Sequence, residues 1–159
     1  MTWRSTTTPA DRVFACLPYL LPLLDSLEFS QPFFNQFPAL LPLLLPLQPL
    51  LAIYRGVPFV GLIIFFALFL LVVRNERISH FIRFNTMQAI LLDIVLILCS
   101  IIVRLVLQQV LGGGLFLETI FNVIFLGTLV AVIYSVIQSA LGRYAEIPTL
   151  SEAVYMQVR

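Results

Sequence analysis

Long apolar runs separated by short polar breaks set the pattern of this chain. Residues 57–73 are unbroken apolar sequence, 86–111 and 115–141 form two longer runs, and a shorter one covers 13–27. Such runs read as membrane-spanning helices, since a hydrocarbon core of ~30 Å takes about 20 residues at ~1.5 Å each. The 57–73 run barely reaches across, whereas 86–111 and 115–141 must tilt or extend into the interface. Gly112-Gly113-Gly114 separates the last two runs, and three glycines give the backbone freedom for a tight reversal. The expected fold is all-α: a polytopic integral membrane protein with four transmembrane helices in a single domain over 13–141, between polar tails at 1–12 and 142–159.

The N-terminal third departs from this simple pattern. The 13–27 run carries Pro18 and Pro22, so it predicts a short, kinked span ending near Asp25 and Glu28. Residues 37–54 hold Pro38, Pro42, Pro46 and Pro49, which would remove several backbone donors from one segment. A proline-broken interfacial or re-entrant segment is expected there in preference to a fifth span. Phe29, Phe33, Phe34 and Phe37 just before it fit an interfacial aromatic stretch.

Charge placement changes the picture next. With four spans, Arg4, Arg12, Arg74, Arg77, Arg83, Arg143 and Arg159 share one side, and Arg55 stands on the other. With five, Arg4 and Arg12 cross over to join Arg55. The positive-inside rule favours the steeper bias, which puts both termini on the cytosol-like side. The 159 residues are 60% hydrophobic and only 11% charged, with a mean hydropathy of +1.03, too few charges to coat a soluble domain. A formal charge of +1 argues against a broad nucleic-acid surface. No separate cleavable signal precedes the first apolar run, so targeting is expected to rest on the spans.

Candidate chemistry is concentrated in the third span. Asp93 and Arg104 lie eleven residues apart, which brings them to the same helix face within about 20° but separates them by ~16 Å of rise. Thr86, Ser100 and Gln108 fall near the same stripe. Ionisable groups inside a membrane helix are costly and usually face protein or water. Counting outward from Gly113, Asn122 matches Arg104 in depth and Glu118 sits nearer the surface, so an Arg104–Glu118/Asn122 staple across the hairpin is one expectation. A polar passage lined by these residues is another, and lipid-facing snorkelling a third. Arg77, His80 and Arg83 in the basic break are expected to contact partners or anionic lipid. Ile78, Phe81 and Ile82 form an apolar face there, as in an interfacial helix entering the third span.

Cys16 and Cys99 lack metal-ligand spacing and read as buried structural thiols. His80 stands alone, without a carboxylate or cysteine arrangement around it. There is no P-loop, GxGxxG, HExxH or GxSxG. No enzyme activity, cofactor or metal is expected.

Three ordered motifs then become recognisable: Leu17-Pro18-Tyr19-Leu20-Leu21-Pro22-Leu23-Leu24-Asp25, Tyr54-Arg55-Gly56-Val57-Pro58-Phe59, and the long run from Asn75 to Ile94 that contains Asn85-Thr86-Met87-Gln88 and Asp93. Together they resemble the Tic twenty-kilodalton family of the chloroplast inner envelope and of cyanobacteria, from Asp11 to about Pro148. The resemblance implies four helical spans and membership of the translocon that imports preproteins, with a proposed protein-conducting channel role. It implies other translocon subunits or further copies of the chain as partners, along with membrane lipid and translocating preproteins. Plant members carry transit peptides and this chain shows none, which favours a cyanobacterial or plastid-encoded member, or a trimmed chain. The rival expectations are a small-solute or ion transporter and a structural assembly factor.

Overall fold

The computed structural model describes residues 6–158, and the described residues are helix and turn without a strand. Arg4 and Arg159, both used in the charge count, lie outside them. The first helix, α1, covers residues 9–29. Thr8 caps it: Asp11 N donates to Thr8 Oγ1 at 3.2 Å, and Thr8 N donates to Asp11 Oδ2 at 3.0 Å. This reciprocal pairing satisfies two donors that a helix start otherwise leaves open. Pro18 tightens α1 into a 3-10 turn at Leu17–Tyr19, after which α winding resumes over Leu20–Ser26. A short helix, α2 (Gln31–Gln36), follows.

The proline-rich segment is where the fold departs most from expectation. It is not broken. Pro38–Gly56 forms one continuous helix, α3, wound as 3-10 over Pro38–Leu47 and as α over Gln48–Gly56. Each proline withdraws a donor and crowds the carbonyl four residues back. The ladder therefore keeps the tighter three-residue pattern while prolines recur. Pro49 falls in the first turn of the α portion, where its missing donor costs nothing. By length and composition α3 suffices to cross a bilayer, and most of its surface is exposed.

Helix α4 (Val60–Val73) follows a turn in which Phe59 adopts a left-handed backbone, φ 60°. It is the shorter apolar helix and ends in wide π-helical turns at Leu68–Val73. Helix α5 (His80–Leu111) is capped by Ser79, whose Oγ accepts from Ile82 N. It begins earlier than the 86–111 run suggested, so the basic break is a short turn and the helical entry belongs to α5. Helix α6 (Leu115–Ala140) returns after the glycine turn, where Gly112, Gly113 and Gly114 all take positive φ. Helices α3, α5 and α6 are long and apolar enough to cross a membrane.

Residues 142–158 do not form the polar tail expected of them. They fold back as α7 (Leu150–Gln157) against α5. Val154 and Val158 bury themselves beside Val73, Phe84, Met87 and Ile90. The Phe84 ring packs at 5.0 Å from Tyr144 and 4.9 Å from Tyr155.

Helix α5 is the hub, with α1, α4 and α7 around it. Helix α1 lies between α5 and α6, where Tyr19, Ala89, Leu92 and Val132 form one apolar cluster. Toward the glycine-turn end, Leu24, Leu27, Phe29, Phe34, Leu96 and Phe125 form another. The N-terminal cap, the basic turn and the C-terminal segment converge at the opposite end. There Ser79 Oγ donates to Asp11 Oδ1 at 3.4 Å, and His80 Nε2 lies 3.3 Å from Val158 O. Gly142 closes this junction with φ 73°. A Cβ built there would meet Thr7 Oγ1 at 2.5 Å and Arg12 Nε at 3.0 Å.

Replacing Gly142 by Ala combines a left-handed backbone with that collision. The Gly142→Ala variant is expected to lose about 1–2 kcal/mol from the backbone alone. The loss should register as a lowered unfolding midpoint of detergent-purified protein.

Candidate functional site

Polar side chains in this apolar bundle are gathered along one seam, where α1 faces α5. Three groups of contacts occupy it, one above another.

The first is wholly buried. Tyr19 Oη donates to Asn85 Oδ1 at 2.9 Å, and Ser139 Oγ donates to the same oxygen at 2.9 Å. Gln88 Nε2 donates to Tyr19 Oη at 3.0 Å and to Ala145 O at 2.7 Å. Asn85 Nδ2 donates to Phe81 O at 2.9 Å. Four parts of the chain meet on two amide side chains: α1, α5, α6 and the start of the C-terminal segment. Asn85 and Gln88 are one turn apart on α5, so both reach the same partners.

The second lies one to two turns further along. Asp93, 2% exposed, lines the same cleft as Asp25 across the seam. Tyr54 Oη, from the end of α3, donates to Asp25 Oδ1 at 2.7 Å. Asp93 Oδ1 is buried without a hydrogen-bond partner among the described residues. A cleft of about 840 Å³ opens beside the acids, lined by Asp25, Tyr54, Arg55, Phe59, Asp93 and Arg104.

The third is an ion pair between Arg104 and Glu28, with Ser100 Oγ donating to the Glu28 carboxylate at 3.3 Å. Asp25 and Glu28 are one turn apart on α1. Asp93, Ser100 and Arg104 share a face of α5. Two helix faces thus meet, acid-bearing on one side and mixed on the other. The pair remains open: the Arg104 side chain is 63% exposed and that of Glu28 41%.

The expected residues divide accordingly. Asp93, Ser100 and Arg104 belong to the seam. The Arg104–Glu118/Asn122 staple does not form, because Arg104 turns to Glu28 on α1. Glu118 and Gln108 are exposed near the glycine turn. Asn122 is half-buried on α6, its Oδ1 unpartnered among the described residues. In the basic break, Arg77 is exposed, as a contact with lipid or partner requires. His80 is used internally instead, its Nδ1 3.0 Å from Tyr144 Oη. Arg83 is half-buried, its Nε donating to Val73 O at 2.9 Å. Cys16 is a free thiol whose Sγ lies 3.6 Å from Val136 O, and Cys99 is also free.

Tyr19, Asn85, Gln88, Asp25, Glu28 and Tyr54 were not singled out as site residues from sequence. Five of them stand in the recognisable motifs, and Asn85, Gln88 and Asp93 drift around one broad face of α5. That drift is the signal that would have found them.

Comparison with known proteins adds a separate line. The family model described as chloroplast import apparatus Tic20-like matches residues 6–154. A Tic20 family protein of Synechocystis is 51% identical over 159 residues, covering 100% of this chain and 99% of the relative. Protein TIC 20-II, chloroplastic, of Arabidopsis thaliana is 36% identical over 157 residues, covering 96% and 75%. The Tic20 family protein Ycf60 of Porphyra purpurea is 34% identical over 165 residues, covering 99% and 80%.

The buried and open parts of the seam should respond differently to substitution. Asn85→Ala strands Tyr19 and Ser139 in the interior and is expected to cost about 1–3 kcal/mol. Arg104→Gln, at an exposed pair, is expected to cost less than about 1 kcal/mol. Unfolding of the two variants in one detergent, side by side, checks the order.

Proposed function

This chain belongs to the chloroplast import apparatus Tic20-like family, and from that premise we propose that it serves as a non-enzymatic helical component of a membrane protein translocon. The relatives' names supply the import apparatus. The observation that carries the mechanism is the cleft where Asp25, Asp93, Arg55, Arg104 and Tyr54 meet within an apolar bundle. Polar groups in a membrane interior mark assembly contacts or hydrophilic paths.

The bundle is too small to surround a polypeptide. If it conducts a chain, the lumen is shared with further copies or with other translocon subunits, and preproteins pass between them. The open Arg104–Glu28 pair and the cleft supply polar surface for that shared wall. Exposed apolar residues along α4, α5 and α6, such as Leu70, Leu105 and Val130, face lipid or neighbouring subunits. The membrane is the plastid inner envelope or its cyanobacterial counterpart, with both termini on the stromal or cytoplasmic side. Clustering of Arg12, Arg74, Arg77, Arg83 and Arg143 around the converged end supports that orientation. A second reading, small-solute or ion transport, draws on the same cleft. Flux of a small ion by the purified protein, with no translocon partner in crosslinked membranes, would favour it.

Two outcomes are expected. Asp93→Leu should insert normally yet disturb complex size on native gels and conductance in liposomes; wild-type values in both would defeat the seam's role. Single cysteines introduced near residues 8 and 146, on a background lacking Cys16 and Cys99, should react with an impermeant thiol reagent from the same face of oriented vesicles.

A further inference from the structure

A long groove runs between α1 and α4 and meets the acid cleft at its inner end, where Tyr54 and Val60 line both. Its volume is about 570 Å³. Phe14, Leu17, Leu21 and Leu24 form one wall, and Val60, Ile64, Leu68 and Val72 the other. Ile78, Ile82 and Thr86 close its end near the basic turn, and Leu50, Ile53 and Tyr54 close the inner end. From Val60 to Val72 a helix rises ~18 Å, close to the ~15 Å depth of one leaflet's hydrocarbon. The groove is therefore one acyl chain long and starts where a headgroup would sit.

Two observations point to what fills it. Thr86 is fully buried at the groove, and its Oγ1 has no partner among the described residues. The other two threonines in long helices behave differently: Thr119 and Thr128 donate back to Leu115 O and Ile124 O, at 2.7 and 2.8 Å. Thr86 thus brings a hydroxyl without a partner among the described residues to the groove's lining. The second observation is charge. The groove's outer end lies between Val72 and Ile78, and the turn joining them carries exposed Arg74 and Arg77 against one acid, Glu76.

We propose that this groove seats an acyl chain of one anionic membrane glycerolipid, its ester oxygen accepting from Thr86 and its headgroup held by Arg74 and Arg77. The assignment rests only on the membrane reading of the chain, not on a translocation role. It is therefore read out without any transport assay.

The test uses the full chain. Purified protein is reconstituted into vesicles of equal phosphatidylglycerol and phosphatidylcholine, re-extracted, washed in detergent, and its retained phospholipid measured by mass spectrometry. Wild type is expected to retain phosphatidylglycerol in preference to phosphatidylcholine. Arg74→Gln/Arg77→Gln should keep the lipid but reduce that preference by about tenfold. Ile64→Trp and, from the opposite wall, Leu17→Trp should fill the groove and abolish retention while the protein stays monodisperse. Using both walls protects the result against misfolding of one variant. Retention unchanged in both filled variants would overturn the proposal. So would wild type holding no lipid above the washed baseline, or holding both lipids equally.

Discussion

A polar group removed from water must find a partner, and in a bundle this apolar that requirement governs the arrangement of helices. The seam between α1 and α5 is where it is met. Tyr19, Asn85, Gln88 and Ser139 form a connected set of hydrogen bonds that joins four parts of the chain, with Gln88 Oε1 the one amide atom left without a partner among the described residues. Apolar contact alone would let α1 slide or rotate against its neighbours, since one leucine-lined face packs about as well as another. The amides allow one register. With α1 fixed, Asp25 and Glu28 come to lie opposite Asp93 and Arg104, and Tyr54 can close over Asp25. The acid cleft is thus a product of the buried hydrogen bonds beneath it.

The same economy explains the mixture of order and exposure elsewhere. Helix α3 is the least buried of the long helices, and it is also the one whose prolines forfeit backbone donors. It touches the rest of the bundle chiefly through its later residues, where Leu51 enters the apolar core and Tyr54 the seam. The converged end is built from caps. Thr8 and Ser79 close the starts of α1 and α5, and Ser79 also reaches Asp11. Backbone groups that would otherwise lie open at the end of the bundle are satisfied by short side chains already in place.

How far all this was legible in the sequence depends on the range of the interaction. The long helices followed from apolar runs, and the antiparallel pair α5–α6 from three glycines, because both are local. The shared face of Asp93, Ser100 and Arg104 followed from helical periodicity. Partners did not follow. Reflecting α5 through the glycine turn made Glu118 and Asn122 the nearest choices for Arg104, yet its partner is Glu28, 76 residues earlier. No periodicity within one helix reports which face of a distant helix will meet it. The C-terminal segment failed for a related reason. Arg143, Glu146 and Glu152 gave it a polar character, while Val154 and Val158 acquire meaning only against a surface that α4 and α5 must first build. The proline-rich segment is helical because a ladder that cannot stay α can tighten to 3-10, which no count of prolines reports.

Helix α1 carries a consequence for biogenesis. It leaves the ribosome well before α5, but Tyr19 bonds to a residue 66 positions downstream and Glu28 waits for Arg104. For most of synthesis the nascent chain holds Asp25 and Glu28 without their final companions, in or beside lipid. The earlier helix therefore settles only after the later one, and its two acids supply a reason for it to linger at the water's edge until α5 has been made.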